Sequence, residues 1–500
     1  MSVDVRSFVE EARREKLEAI RALGIEPYAY GFDRSHTARA AVEAYRAAGA
    51  ASNPEVHIRT AGRIVSRRGH GKTTFVHVAD ASGRVQVYLR QDQLGEQAYE
   101  LVKLLDLGDH VGVAGHMFQT KTGEVTVHAR EVQLLAKALR PPPIGKEDAD
   151  GEAHSRLSDT EQRYRQRYAD LMARPEGRDT FLLRARTIAF IRRFLDERGY
   201  LEVETPVLQP IYGGALARPF TTHYNALDAR FYLRIATELY LKRCIVGGIE
   251  RVYEIGKDFR NEGIDRLHNP EFTMLEFYQA YADYHDIMQL VEEMVHGLVR
   301  EVCGSPVVER FGTTFDFTLP WPRESYLDLV QRHAGVDLAH ADDDVLRDLL
   351  RKRDVPDLDP MPRGKLMDEV FKEYAEPQLV QPTLVVDYPL ALSPLAKPKR
   401  GNPELAERFE LFVDGREIAN AFSELNDPDD QRARFETQGA ARAAGDEEAH
   451  QVDDDYVRAL EYGMPPTGGC GLGVDRLVML LAEESSIRDV ILFPTLRPEA

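Results

Sequence analysis

The chain has 500 residues, of which 43% are hydrophobic and 29% charged, and a formal net charge of −19. That length exceeds one ordinary core, so at least two globular domains are expected, and the composition excludes a disordered or fibrous chain. No apolar run is long enough to span a membrane, the charged N-terminus lacks a signal peptide's apolar centre, and Cys244, Cys303 and Cys470 are too scattered for a disulfide frame or zinc site.

A reducing, cytoplasmic setting with no membrane attachment is therefore the expectation. The charge is uneven: residues 1–140 carry a net +3 and the remainder −22. A net acidic chain binds nucleic acid poorly at random, but its basic first part can still hold a specific one.

Residues 1–24 form a charged amphipathic helix pattern. From 56 to 139, alternating runs separated by the turn signals DASG and KTGE predict five short strands, with a helix (QLGEQAYELVKLL) between the third and fourth. That order predicts a small Greek-key barrel of the oligonucleotide-binding type. Arg67, Arg68 and Lys72 precede a strand bearing Phe75, and Gln86 lies on the next. A ring to stack a base, an amide to read its edge and arginines for phosphate suit single-stranded recognition. The plain alternative is a surface arginine cluster beside a core Phe75.

A proline run (ALRPPPIG) ends the barrel, and KEDADGEA predicts an exposed linker. SDTEQRYRQRYADLM predicts a polar helix opened by a capping box from Ser158 to Glu161. The expected division is 1–145 for helix and barrel, 146–172 for the linker helix and 173–500 for a second domain. In that domain Phe181, Ala185, Ile188, Ile191 and Leu195 form an apolar stripe at helical spacing, with Gly199 as its stop. The following strand is broken by Pro206, which suits an edge or an interface. A subunit interface and a buried helix in a monomer both fit this pattern.

RVYEIGKDFR (251–260) and EFTMLEFYQAY (271–281) predict a hairpin with a long charged loop. Alternation puts Phe272, Met274, Glu276 and Tyr278 on one face, and Thr273, Leu275 and Phe277 on the other. The second set is a core face. The first suits the floor of a pocket, with Arg260, Glu262 and His268 in reach of a phosphate. A half-buried sheet with Glu276 ion-paired elsewhere is the competing account. Residues 285–375 are mainly helical and show no chemistry, so they are expected to be an insertion.

RFELFVDGREIANAFSEL (408–425) predicts a hairpin about the Asp414-Gly415 turn, pairing Val413 with Arg416, Phe412 with Glu417 and Glu410 with Ala419. Glu410 and Glu417 then share a face, where two carboxylates can hold Mg²⁺ shared with a polyphosphate. Asn420, Phe422 and Glu424 fall on the opposite parity, so lining the same pocket requires a bulge near Ala419. GGCGLGVDRLVMLL places glycines ahead of an apolar helix carrying Arg476, and it matches neither a dinucleotide fingerprint nor a P-loop.

Three of these stretches, in order, resemble the three signature motifs of class II aminoacyl-tRNA synthetases: the helix with Pro206, FRNEG through EFTMLEFY, and GLGVDRL. The preceding barrel resembles the aspartyl, asparaginyl and lysyl members. GGALARPF, ELYLKR, HNPEFTMLEFYQAYADY, NAFSELNDP and IRDVILFP resemble the lysyl-tRNA synthetase family.

The resemblance implies an antiparallel α+β catalytic domain of the class II type, and a homodimer acting on L-lysine, ATP and tRNA(Lys). Arg260 and Arg476 are implied as catalytic. The implied lysine site is Gly214, Glu238, Arg260, Glu276, Tyr278, Asn420 and Glu424. For ATP it implies Arg260, Glu262, His268, Phe272, Glu410, Glu417 and Arg476, with Glu410 and Glu417 holding Mg²⁺ (up to three ions with ATP). Arg68, Phe75 and Gln86 are implied to read the anticodon.

The sign of the pocket agrees, because an ammonium needs buried carboxylates. Thr237, Ala421, Tyr212 and Cys470 depart from the commonest family pattern, with proline frequent at the first and glycine usual at the second. Three rivals stand beside this reading: an aspartyl or asparaginyl enzyme, disfavoured by the sign of the pocket; a lysine ligase acting on a protein, which would lack the barrel; and a catalytically silent tRNA-binding regulator. The last would be expected to have lost Arg260, Glu417 or Arg476.

Overall fold

The computed structural model describes residues 7–49, 55–143, 157–359, 361–443 and 451–499, which fall into two compact units divided between Pro175 and Glu176. The predicted acidic linker lies outside the described residues. In the first unit, strict alternation of buried and outward residues makes five strands close into a barrel. Its order is His57–His70, Thr73–Asp80, Gly83–Arg90, Val125–Ala136, His110–Gln119. Gly95 (φ +82°) splits the intervening helical stretch into Gln91–Leu94 and Glu96–Leu104. The helix Phe8–Ala22 is capped by Ser7 and tied down by Arg13, whose guanidinium donates to the carbonyls of Leu107, Ala138 and Arg140.

The arginine-rich helix differs from its prediction. Asp159, not Ser158, caps it by accepting from Gln162 N at 2.7 Å, and it breaks at Gln166 into Thr160–Arg165 and Arg167–Ala173. Buried Asp170 gathers Arg163, Arg167 and Arg174 across that break.

The second unit is built on an eight-stranded sheet in the order Arg323–Ser325, Thr383–Val386, Arg408–Val413, Arg416–Ser423, Thr467–Gly473, Glu271–Ala280, Arg251–Phe259, Leu201–Glu202. Only the two outermost pairings are parallel. The helices Gly177–Asp196, Tyr284–Cys303 and Val474–Ala482 cover one face and make a single apolar core with Leu275, Phe277, Leu411 and Leu472. The buried stripe of the first helix runs through Thr187, Phe190, Ile191, Phe194 and Leu195, whereas Ala185 is exposed.

Two expectations need correction. Residues 285–375 do not stand apart, because Tyr284–Cys303 packs in the central core and Arg363–Tyr374 reaches the cavity described below. The glycine-rich stretch before Arg476 is a central strand, Thr467–Gly473. Glycine has little intrinsic preference for a strand, and hydrogen bonding to neighbours on both sides imposes it here.

The hairpin about Asp414-Gly415 has the predicted pairs Val413–Arg416 and Phe412–Glu417, but Leu411 pairs with Ala419 and Glu410 with Asn420. Ile418 is thus the extra residue of a bulge. The slip replaces the predicted Glu410–Ala419 pair and turns Asn420, Phe422 and Glu424 onto the face of Glu410.

Candidate active site

Opposite the helices, the sheet floors a cavity of about 700 Å³. Its trough follows from the glycine strand. Gly469 lies between Tyr278 and Phe422 on the flanking strands, and Gly471 between Glu276 and Asn420. A Cβ at Gly469 would stand 2.2 Å from Glu424 Oε1 and 2.4 Å from the Tyr278 ring. The large side chains of both neighbours therefore lean over a strand that has none there.

One end of the cavity is acidic and buried. Glu238 opens the helix Glu238–Val246, and Glu276 accepts from the Thr237 N–H at 3.1 Å at that helix's start. Tyr278 donates its hydroxyl to Glu276 Oε2 at 2.9 Å. Burial, with repulsion from Asp258 and Glu238, pushes Glu276 up to about 8. Glu424 is fully buried; its Oε2 meets the Lys242 ammonium, and its Oε1 accepts no hydrogen bond from the protein. Burial holds it well above the ordinary carboxyl range, against the pull of Lys242. Gly214 closes this end at φ +91°, with Ala236 and Glu238 about 3 Å from where its Cβ would be.

The other end is more open. The Arg260 guanidinium lies 5.0 Å from the Phe272 ring centroid, covering one face of the ring. His268 donates from Nδ1 to Asp265 at 2.8 Å, which leaves Nε2 to accept from Arg476 at 3.3 Å. Arg476 also donates to the backbone oxygen and carboxylate of Glu417, at 3.0 and 3.3 Å. Glu410 accepts from Arg408 at 2.5 Å and from Tyr388 at 2.7 Å, and burial pushes it up to about 7. Glu262 lines the cavity from the exposed loop, and Asn420 is held by Arg408 at 3.0 Å.

All thirteen residues predicted for this site thus line one cavity. The sequence reading missed Lys242, Arg408, Asp368, Lys372 and Glu376. The first had a signal, a lysine four residues after a glutamate on one helix face. Asp368 and Lys372 come from the region read as an insertion and Glu376 follows its last residue, and no motif marks any of them. Glu376 is pushed up to about 7 by burial and by repulsion from Glu410 and Glu417. Of the four departures Cys470 lines the cavity and Thr237, Tyr212 and Ala421 do not, and Ala421 and Cys470 belong to the helix-side core.

In the first unit Phe75 is not a core residue. Its neighbours Thr74 and Val76 point inward, and Phe75 lies on the outer face between Arg68 and Tyr88. It stacks on Tyr88 with centroids 4.4 Å apart, and Tyr88, Phe118, His116 and His128 continue the ring surface. Arg68 is exposed. Gln86 donates to Glu124 at 2.6 Å and accepts from Thr126 at 2.8 Å, which fixes the amide's orientation.

Residues 159–497 match the family of class II tRNA synthetases (D, K and N), and residues 58–135 match the OB-fold nucleic acid binding domain. The chain belongs to this class II family. Among similar proteins, the lysine–tRNA ligase of Carboxydothermus hydrogenoformans is 52% identical over 98% of both chains. That of Moorella thermoacetica is 51% identical over the full length of both. That of Pelotomaculum thermopropionicum is 53% identical over 97% of this chain and 94% of its own.

Proposed function

We propose that this protein is a lysine–tRNA ligase, which activates L-lysine with ATP and transfers it to the 3′-terminal ribose of tRNA(Lys). The observation that carries the lysine assignment is Glu424, a fully buried carboxylate whose Oε2 meets Lys242 and whose Oε1 has no donor from the protein, beside Tyr278, Glu276 and Glu238. A cationic side chain satisfies it, and an aspartate carboxylate would be repelled.

In this reading Glu424 and Tyr278 take the ε-ammonium, and Glu238 and Gly214 the α-ammonium. Glu276 and Asn420 complete the pocket. Arg260 spans the lysine carboxylate and the α-phosphate, and the open face of Phe272 stacks adenine. Glu262, His268 and Arg476 hold the polyphosphate. Among the described residues no three carboxylate, histidine or cysteine ligands converge to hold a metal unaided. Glu410 and Glu417, with raised Glu410 relieved by a cation, still fit Mg²⁺ whose shell is completed by phosphate. When bound, Mg²⁺ supplies charge neutralisation to the polyphosphate.

The α-carboxylate is ionised at pH 7, so its attack on the α-phosphorus needs no general base. A carboxylate–phosphorus bond forms, the bond to the β-phosphate oxygen breaks, and pyrophosphate leaves. Arg260 lowers the repulsion between the two anions, and Arg476 anchors the departing end. The ribose hydroxyl then displaces AMP from lysyl-adenylate.

A homodimer is part of the proposal, supported by the exposed Leu182, Leu201 and Leu208 on the first helix and the strands beyond it. No described helix is long and apolar enough to cross a membrane, and we assign a cytoplasmic place. The test is pyrophosphate exchange into ATP with each of the twenty amino acids. Exchange with lysine alone is expected, and exchange with none would favour a silent tRNA-binding regulator.

A further inference from the structure

Lys242 lies one turn along the helix from Glu238 and has no exposed surface. Its Nζ donates to Glu238 Oε1 at 2.5 Å, touches a Glu424 carboxylate oxygen and stands 5.3 Å from the Phe422 ring centroid. An ammonium removed from water persists only among partners of opposite sign. Here the carboxylates outnumber it. Glu238, Glu276 and Glu424 meet at one end of the cavity, and Glu424 Oε1 accepts no hydrogen bond from the protein.

Lysine brings two further ammonium groups. Three carboxylates then face three ammoniums, and Arg260 remains for the substrate carboxylate. We propose that Lys242 is a positioning residue for lysine selection, holding Glu238 and Glu424 as carboxylates from behind the pocket so that lysine's two ammonium groups complete a neutral set of three pairs. This rests on the lysine reading given above.

The count has a consequence for protons. Burial raises all three carboxyls and one ammonium serves them, so lysine binding should release protons from the cluster. The other groups facing the cluster are Asp258 and Tyr278 on the hairpin, Tyr456 on Asp454–Glu461, Arg408 on its strand and Cys470 on the glycine strand. None of them contributes another ammonium. Without Lys242 the carboxyls would share protons instead, and lysine would have to displace them.

The test is pyrophosphate exchange by wild type and Lys242→Met from pH 6 to 8, with calorimetry of lysine binding to wild type in two buffers of different ionisation enthalpy. Lys242→Met should raise the lysine KM at pH 7 by about 30-fold or more, leave the ATP KM within about twofold, and steepen the fall of lysine KM with pH. A lysine KM within about threefold of wild type, or lysine and ATP KM values rising together, overturns the proposal. If the variant does not fold, wild-type calorimetry decides: proton release on lysine binding supports the count, and none overturns it. Absence of lysine-dependent exchange in wild type would instead remove the lysine reading itself.

Discussion

On the proposed reading, Glu424 concentrates the chemistry of substrate choice in one side chain. Glu424→Gln keeps the shape and removes the charge, so an ammonium loses its partner in a buried site. The lysine KM should rise about 100-fold, the ~3 kcal/mol of a buried charged hydrogen bond, with the ATP KM unchanged. An unchanged lysine KM in pyrophosphate exchange would remove the ammonium role. Thr237 offers a finer test. Its N–H donates to Glu276 at 3.1 Å, a bond proline cannot make. Thr237→Pro should raise the lysine KM by roughly three- to tenfold at pH 7, the ~1 kcal/mol of one hydrogen bond. The increase should shrink at pH 8.5, where more of Glu276 is ionised. An equal increase at both values would mean that the proline acts through the backbone alone.

The glycine strand is the element on which the pocket depends. Gly469→Ala would force a methyl into Glu424 and Tyr278, and overpacking of this kind costs roughly 1–3 kcal/mol. Urea unfolding should show that loss together with a large rise in lysine KM, and a variant with both unchanged would show that the trough can widen. This strand was not legible in the sequence, because alternation cannot be seen where side chains are missing. The hairpin of Arg251–Phe259 and Glu271–Ala280 was legible down to its faces, since aromatic and charged residues alternate cleanly there. So was the need for a bulge, because Glu410 and Glu424 could not otherwise share a face. The helix Tyr284–Cys303 was visible as a helix but not as core, since amphipathicity does not say what the apolar stripe covers. Glu376 was illegible for a related reason: only the fold brings it beside Glu410 and Glu417.

Across the whole molecule the two units imply a division of labour. Phe75→Ala should impair charging of tRNA about tenfold or more, the ~1–3 kcal/mol of a base–aromatic stack, and leave pyrophosphate exchange intact. An equal loss in both assays would refute that division. The buried acids also set a pH dependence. Glu276 at about 8, and Glu376 and Glu410 at about 7, bind protons more tightly in the folded chain than in the unfolded one. Their contribution to stability is therefore full below the ordinary carboxyl range and is lost as pH rises toward 8. The melting temperature without substrates should fall between pH 6 and 8.5, and saturating lysine with ATP and Mg²⁺ should reduce that fall. A flat profile would mean that these acids are already ionised.

The bulge at Ile418 bears on how such a chain can change over generations. Removing that one residue would turn Asn420, Phe422 and Glu424 toward the helices and drive a charge into oil-like surroundings. Lineages can thus retune this pocket by exchanging residues, but gains and losses of single residues in the strand are closed to them. Its length should be the least variable property of the site.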